Sequence, residues 1–309
     1  MHHPQHVRST ATRFRALVAA GLVVALAACD STDALAPENL PAETVPIDVP
    51  ELAVRQAGGI AIGMNAQPLD QFGDIYSGAK LTLSPNHLLS RLSAVRNRGG
   101  RIVLMLVGPE HHYKDAAGRF SLSKWKARLD PYKKININSY IDDGTIIGHF
   151  LIDEPSDRNN WNGTTISPST LEEMGRYSKS IWPKMATIVR THPNWFKSSP
   201  KYVDAAWAQY LHRRGPVNDY IRQQVSDAQK RGLALVVGLN VIHGGNPQGT
   251  KMTPSEVKSW GSALLSSSYP CAFVSWTYNS TYLGTSSMKS VMKELRKKAE
   301  NRTKKTCRS

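Results

Sequence analysis

From residue 57 onward, short apolar runs alternate with amphipathic stretches, and this alternation restricts the fold more than any other feature of the 309 residues. Parallel strands cannot be joined by a tight turn; they need a crossover long enough to hold a helix. A strand–helix–strand rhythm therefore specifies a parallel sheet of βα units. Strands are expected at residues 59–64, 101–107, 145–152, 185–190, 202–209, 233–240 and 272–278. Helices are expected at 85–98, 123–133, 169–181, 217–230, 254–265 and 288–298. Ser84-Pro85, Ser167-Pro168 and Thr253-Pro254 place proline in a first helical turn, where its missing N–H has no intrahelical role. Arg98-Gly99-Gly100 and Lys230-Arg231-Gly232 are matching stop signals, basic residues followed by glycine.

Seven strands are one short of a closed (β/α)8 TIM-type barrel, for which about 250 residues is a usual length. Residues 79–83 are the best candidate for the eighth strand, although a loop fits them equally. The strand at 202–209 has only a short, weakly helical partner before it, so the barrel is expected to be locally irregular. The alternative is an open doubly wound sheet. Against it, Gly63-Met64-Asn65-Ala66-Gln67-Pro68 lacks the glycine spacing of a phosphate-binding loop.

Residues 1–28 are expected to lie outside the fold. Arg8, Arg13 and Arg15 precede the uncharged apolar run from Ala16 to Ala28, too short to span a membrane but right for a signal peptide core. Leu26-Ala27-Ala28-Cys29 resembles the bacterial lipobox, which implies a lipid on Cys29 and a place in the cell envelope, periplasmic or at the surface. An ordinary signal peptide cleaved nearby is the alternative. Residues 29–56, with Pro37, Pro41, Pro46 and Pro50, read as an extended tether, leaving 57–309 as the barrel domain. The chain carries net charge +15, and much of it sits in the last helix and tail, including Lys293, Arg296, Lys297 and Lys298. A solvated helix face near an anionic membrane accounts for this more simply than nucleic acid, for which no motif is present. Beyond Cys29 only Cys271 and Cys307 remain. Both fall where a barrel keeps its non-catalytic face, so they form either a disulfide in an oxidising compartment or two unrelated thiols.

The chemistry concentrates in Gly148-His149-Phe150-Leu151-Ile152-Asp153-Glu154-Pro155. This apolar segment ends in two carboxylates and a proline that stops the strand. Ionised groups are costly in a buried strand unless they sit at its open end, and barrels place their chemistry at the C-terminal strand ends. His149, mid-strand, reads as a satisfied residue of the barrel interior. Successive strand residues point to opposite faces, so Asp153 and Glu154 are not expected to form a catalytic pair with each other.

Together with Ser275-Trp276-Thr277-Tyr278 ending the last strand, these residues resemble the barrel glycoside hydrolase superfamily. Its members commonly end the fourth strand in Asn-Glu-Pro and place a tryptophan sugar platform on the last. The resemblance implies Glu154 as acid/base, Asp153 where Asn usually stands, and Trp276 as the platform. Glycosidic cleavage needs a second carboxylate. The best-known retaining members carry it on the seventh strand, where Val237-Gly238-Leu239-Asn240-Val241-Ile242-His243 has none. Glu110 in Pro109-Glu110-His111-His112-Tyr113, Asp204 and Asp74 are the candidates elsewhere. A different pair, inversion of configuration or lost activity would each explain the departure. Tyr278, Arg190, His192, Gln209, Asn240 and His243 at other strand ends, and Trp161 in a lid or subsite wall at 159–163, complete a candidate glycan site. No cofactor is expected. His111, His112, His192 and His243 invite a metal, but no His-x-His or His-Glu-x-x-His pattern accompanies them. The expectation is a monomeric glycosidase; the competing function is a carbohydrate-binding barrel without catalysis.

Overall fold

The computed structural model describes residues 58–303 and 306–308. The expected signal peptide, Cys29 and the tether lie outside the described residues. Eight parallel strands close in chain order into one barrel: β1 Ala61–Asn65, β2 Gly78–Thr82, β3 Arg101–Met105, β4 Ile146–Asp153, β5 Thr187–Arg190, β6 Ala205–Tyr210, β7 Ala234–Leu239 and β8 Ala272–Ser275. The uncertain eighth strand is real: β2 pairs with β1 on one side and β3 on the other. Closure of β1 against β8, with Ile62 opposite Phe273, excludes the open sheet.

Among the described residues the helices are α1 Leu88–Arg96, α2 Leu122–Leu129, α3 Asn138–Asp142, α4 Pro168–Ile181, α5 Val217–Lys230, α6 Pro254–Ser266, α7 Ser280–Leu283 and α8 Ser286–Glu300. The short α3 and α7 were not legible in the hydrophobic pattern. Two connections, β1–β2 and β5–β6, carry only a single 3-10 turn, which is the expected irregularity. The cap signals do what their chemistry requires. Ser167 accepts from the Thr170 N–H at 3.2 Å, and Thr253 and Glu256 form a reciprocal capping box. Gly232 ends α5 at φ 64°, a conformation that favours glycine. None of the described helices is long and apolar enough to cross a membrane.

The core has two layers. Inside the barrel, the Phe150 and Trp207 rings meet edge-on at 5.4 Å, and Trp207 donates its indole N–H to the Val274 carbonyl at 3.1 Å. Between barrel and helices, Trp125 of α2 donates to the Leu151 carbonyl at 2.9 Å. His149 belongs to this outer layer and not to the barrel interior as expected. Its Nδ1 pairs with Ser178 Oγ of α4 at 2.8 Å, and complete burial pushes its pKa down to about 3. It is a neutral packing residue.

Cys271, just before β8, and Cys307, beyond α8, form a disulfide with Cα atoms 5.3 Å apart. It ties the C-terminal segment to the N-terminal ends of the strands, the end where Cys271 itself enters β8.

Candidate active site

The site is built where β4 ends. Strict alternation would keep Phe150 and Asp153, three residues apart, on opposite faces. Both nevertheless line one cavity of about 680 Å3 at the mouth. The strand's register against β5 shifts between Phe150 and Ile152, and this irregularity turns Asp153 inward. Glu154 follows with φ 34°, in the left-handed region that a residue with a side chain rarely adopts. Its N–H is fixed by the Arg190 carbonyl at 3.1 Å, and its own carbonyl accepts from the Trp161 indole at 3.0 Å. Strained backbone held from both sides is a common feature of functional positions. Glu154 opens onto a second cavity, of about 330 Å3, shared with Arg190, Gln209 and Arg214.

Arg190, the last residue of β5, holds the two acids in place. Its guanidinium bonds Asp153 Oδ1, lies 3.0 Å from Glu154 Oε1, and donates to Gln209 Oε1 at 2.5 Å. It also sits 5.7 Å from the centre of the Trp276 ring, which lines the larger cavity. Burial acts against this cation, but the charges of Asp153 and Glu154 outweigh it and raise its pKa. Its side chain is 13% exposed.

Glu110, in the turn after β3, lines the larger cavity together with Asp153. Asn160 donates to its Oε2 at 2.6 Å. Burial raises its pKa, and the negative charges of Asp153 and Glu154 raise it further. Partial burial likewise lifts Glu154 above the usual carboxylate range, against the pull of Arg190. Three carboxylates from the ends of two strands thus share one electrostatic environment, two of them with raised affinity for a proton.

Several site residues gave little sequence signal. Lys80, inside β2, lines the larger cavity with its ammonium 4.8 Å from the Phe150 ring centre; burial lowers its pKa to about 8. A single lysine within an apolar strand was the available clue. Tyr113 is buried near Glu110 with no partner for its hydroxyl among the described residues, and its pKa is raised, by burial first.

Other expected site residues lie elsewhere or are held by other partners. Asp204, 1% exposed, precedes β6 at the opposite, N-terminal end of the barrel. It accepts from Lys179 at 2.7 Å and from the Thr187 N–H at 2.8 Å, so it ties α4 and β5 together. Asp74 lies beside Arg296 and Lys297 of α8. Trp161 is fully buried against Tyr113 and Phe120, so it supports the loop and is no subsite wall; its neighbour Asn160 reaches the site instead. His192 borders the smaller cavity while its Nδ1 pairs with Gln224 of α5 at 2.8 Å. Asn240 and His243 border a third hollow, and Asn240 bonds the His243 N–H at 3.0 Å. Tyr278 bonds the Asn65 carbonyl through its backbone and lines neither cavity at the mouth. Among the described residues, no three His, Cys, Asp or Glu side chains converge to hold a metal.

No protein-family model matches the sequence, and no curated protein matches it. Solved structures do resemble the barrel. An exo-β-1,4-mannosidase from an Opitutaceae bacterium superposes with TM-score 0.52 at 12% identity, over 78% of this chain and 59% of the other. Gas2p of Saccharomyces cerevisiae, solved with laminaritetraose and laminaripentaose, gives 0.51 at 11% over 81% and 67%. A GH2 β-galacturonidase from Eisenbergiella tayi gives 0.51 at 13% over 77% and 51%. The chain shares a closed eight-stranded parallel barrel with these structures. At such identities the likeness concerns the fold, and the chemistry rests on the residues at the mouth.

Proposed function

We propose that the chain is a glycoside hydrolase acting on a polysaccharide or oligosaccharide at the C-terminal mouth of the barrel. The observation that carries this is the cluster of Glu110, Asp153 and Glu154 around Arg190, beside an open cavity with Trp276 on its wall. Glu154 is the proton donor: partial burial keeps its proton affinity high, and half of its side chain remains reachable. Glu110, on a separate loop, is the second carboxylate, acting on the other side of the glycosidic bond. Asp153 is a positioning residue that fixes Arg190, and Trp276 offers an aromatic face to the sugar. Export and lipidation at Cys29 would place this activity on the cell envelope, where a monomer on a tether trims nearby glycan.

The competing function, glycan binding without catalysis, is favoured by one observation: β7 ends at Leu239, and Asn240 rather than an acid follows it. Leaving-group dependence separates the two. Glu154→Gln should slow hydrolysis of unactivated glycosides about 100- to 10,000-fold while sparing dinitrophenyl glycosides, whose leaving group needs no proton. Equal loss on both substrates would remove Glu154 from the proton-donor role, and no wild-type turnover of either would favour the binding protein.

A further inference from the structure

We propose that the glycan is anionic, with its carboxylate or sulfate groups bound by Arg213 and Arg214 beside Glu154. The inference rests on the glycosidase function above and specifies its substrate class. Arg213 and Arg214 lie in the turn after β6 and border the smaller cavity. Neither guanidinium makes a hydrogen bond or ion pair among the described residues, unlike Arg190, which is committed to Asp153 and Glu154. The remaining acid there, Asp157, already accepts from the Asn159 N–H at 2.9 Å. Two cations therefore border this space with no hydrogen bond or ion pair holding their guanidinium groups, and the nearby charge of Glu154 is shared with Arg190.

A second, independent observation points the same way. Gln209 is 6% exposed, and its Oε1 is fixed by Arg190, which leaves its Nε2 donor without an acceptor among the described residues. An amide donor buried unpaired is destabilising, so an acceptor on the ligand is the natural partner. Lys80 and Arg91 repeat the pattern in the larger cavity, where neither side chain has a hydrogen bond or ion pair among the described residues. Cations with no hydrogen bond or ion pair thus line both cavities at the mouth, as a chain bearing a negative group on successive sugars requires. A guanidinium grips a carboxylate or sulfate through paired N–H donors, whereas a neutral sugar would leave that capacity unused. A bound anion beside Glu154 would also hold the proton on that residue, which a proton donor needs.

The test is equilibrium binding to the full chain carrying Glu154→Gln, in 150 mM salt. The probes are oligogalacturonate, the same oligomer with its carboxyls reduced, and a sulfated galactan oligosaccharide. At least one acidic probe should bind about 10-fold or more tightly than the reduced one, and which of them does so identifies the anionic group. Arg213→Gln with Arg214→Gln should bring the acidic and neutral probes to within about 2-fold. Lys297→Gln with Lys298→Gln, on the exposed face of α8, should leave the preference intact. The inference is overturned if no acidic probe is preferred, if the preference survives the arginine substitutions, or if the lysine substitutions abolish it equally. Wild-type chain that binds the acidic probe through these arginines and cleaves no glycan, acidic or neutral, would overturn the hydrolase instead, and leave the anion site standing.

Discussion

Replacing Arg190 with glutamine removes the cation on which two adjacent carboxylates depend. Its side chain is 13% exposed, and Asp153 beside it is 24% exposed. Breaking such a pair by deleting one partner costs about 3–5 kcal/mol, because a charge is left buried without compensation. Glu154 adds less, since half of its side chain is in solvent and an exposed pair contributes roughly 0–1 kcal/mol. A loss near 3 kcal/mol in a domain of this size lowers the melting temperature by about 10 °C. Much of it should return in Arg190→Gln with Asp153→Asn, where no charge is stranded, giving a coupling of about 2–3 kcal/mol. Arg190 also holds the Glu154 pKa down, so its removal should carry the alkaline limb of the activity profile to higher pH. Denaturant unfolding of the four proteins of this cycle, with a pH–rate profile of Arg190→Gln, measures both effects. A single-variant loss under 1 kcal/mol with coupling below 0.5 kcal/mol would refute the role given to Arg190.

Three further outcomes are expected. Glu110 and Glu154 have folded-state pKa values raised above their usual 4.5, so the native state holds protons that the unfolded chain has released. Their contribution to stability is complete below pH 4.5 and is lost as pH rises through the raised values. Glu110→Gln and Glu154→Gln should therefore flatten that fall in urea titrations from pH 4.5 to 8, and an unchanged slope would contradict the raised values. The Cys271–Cys307 bond closes a loop with sequence separation 36, for which chain entropy gives about 4 kcal/mol. Its reduction, or Cys307→Ser, should lower the unfolding midpoint accordingly, and a change under 1 kcal/mol would show that the C-terminal tie is energetically idle. If Cys29 carries the anchor, Cys29→Ser should move the chain from membrane to soluble fractions, and continued sedimentation with membranes would refute lipidation.

The barrel was legible because its determinants are local. Proline at helix starts, glycine at their ends and unbroken apolar strands follow from the backbone chemistry of each segment. Asp153 and Glu154 stood out for the same reason, as charges ending a buried strand. Contacts between distant loops left no such trace. Asn160 meets Glu110 across a sequence gap of 50, and Lys80 enters the cavity only because β2 closes against β3. Asp204 and Trp161 show the converse error. An acid or an aromatic ring near a strand end satisfies the pattern of a sugar site, yet the strand polarity places Asp204 at the far end of the barrel. The packing of Tyr113 and Phe120 buries Trp161 in the loop's own core.

The most direct test of the account is hydrolysis of a broad panel of neutral and acidic polysaccharides by the full chain, beside Glu154→Gln and Glu110→Gln. Turnover of at least one glycan by the wild type, reduced 100-fold or more by each substitution while the fold is retained, is the predicted result. Turnover that survives both substitutions, or none on any glycan, would contradict a hydrolase centred on these two carboxylates.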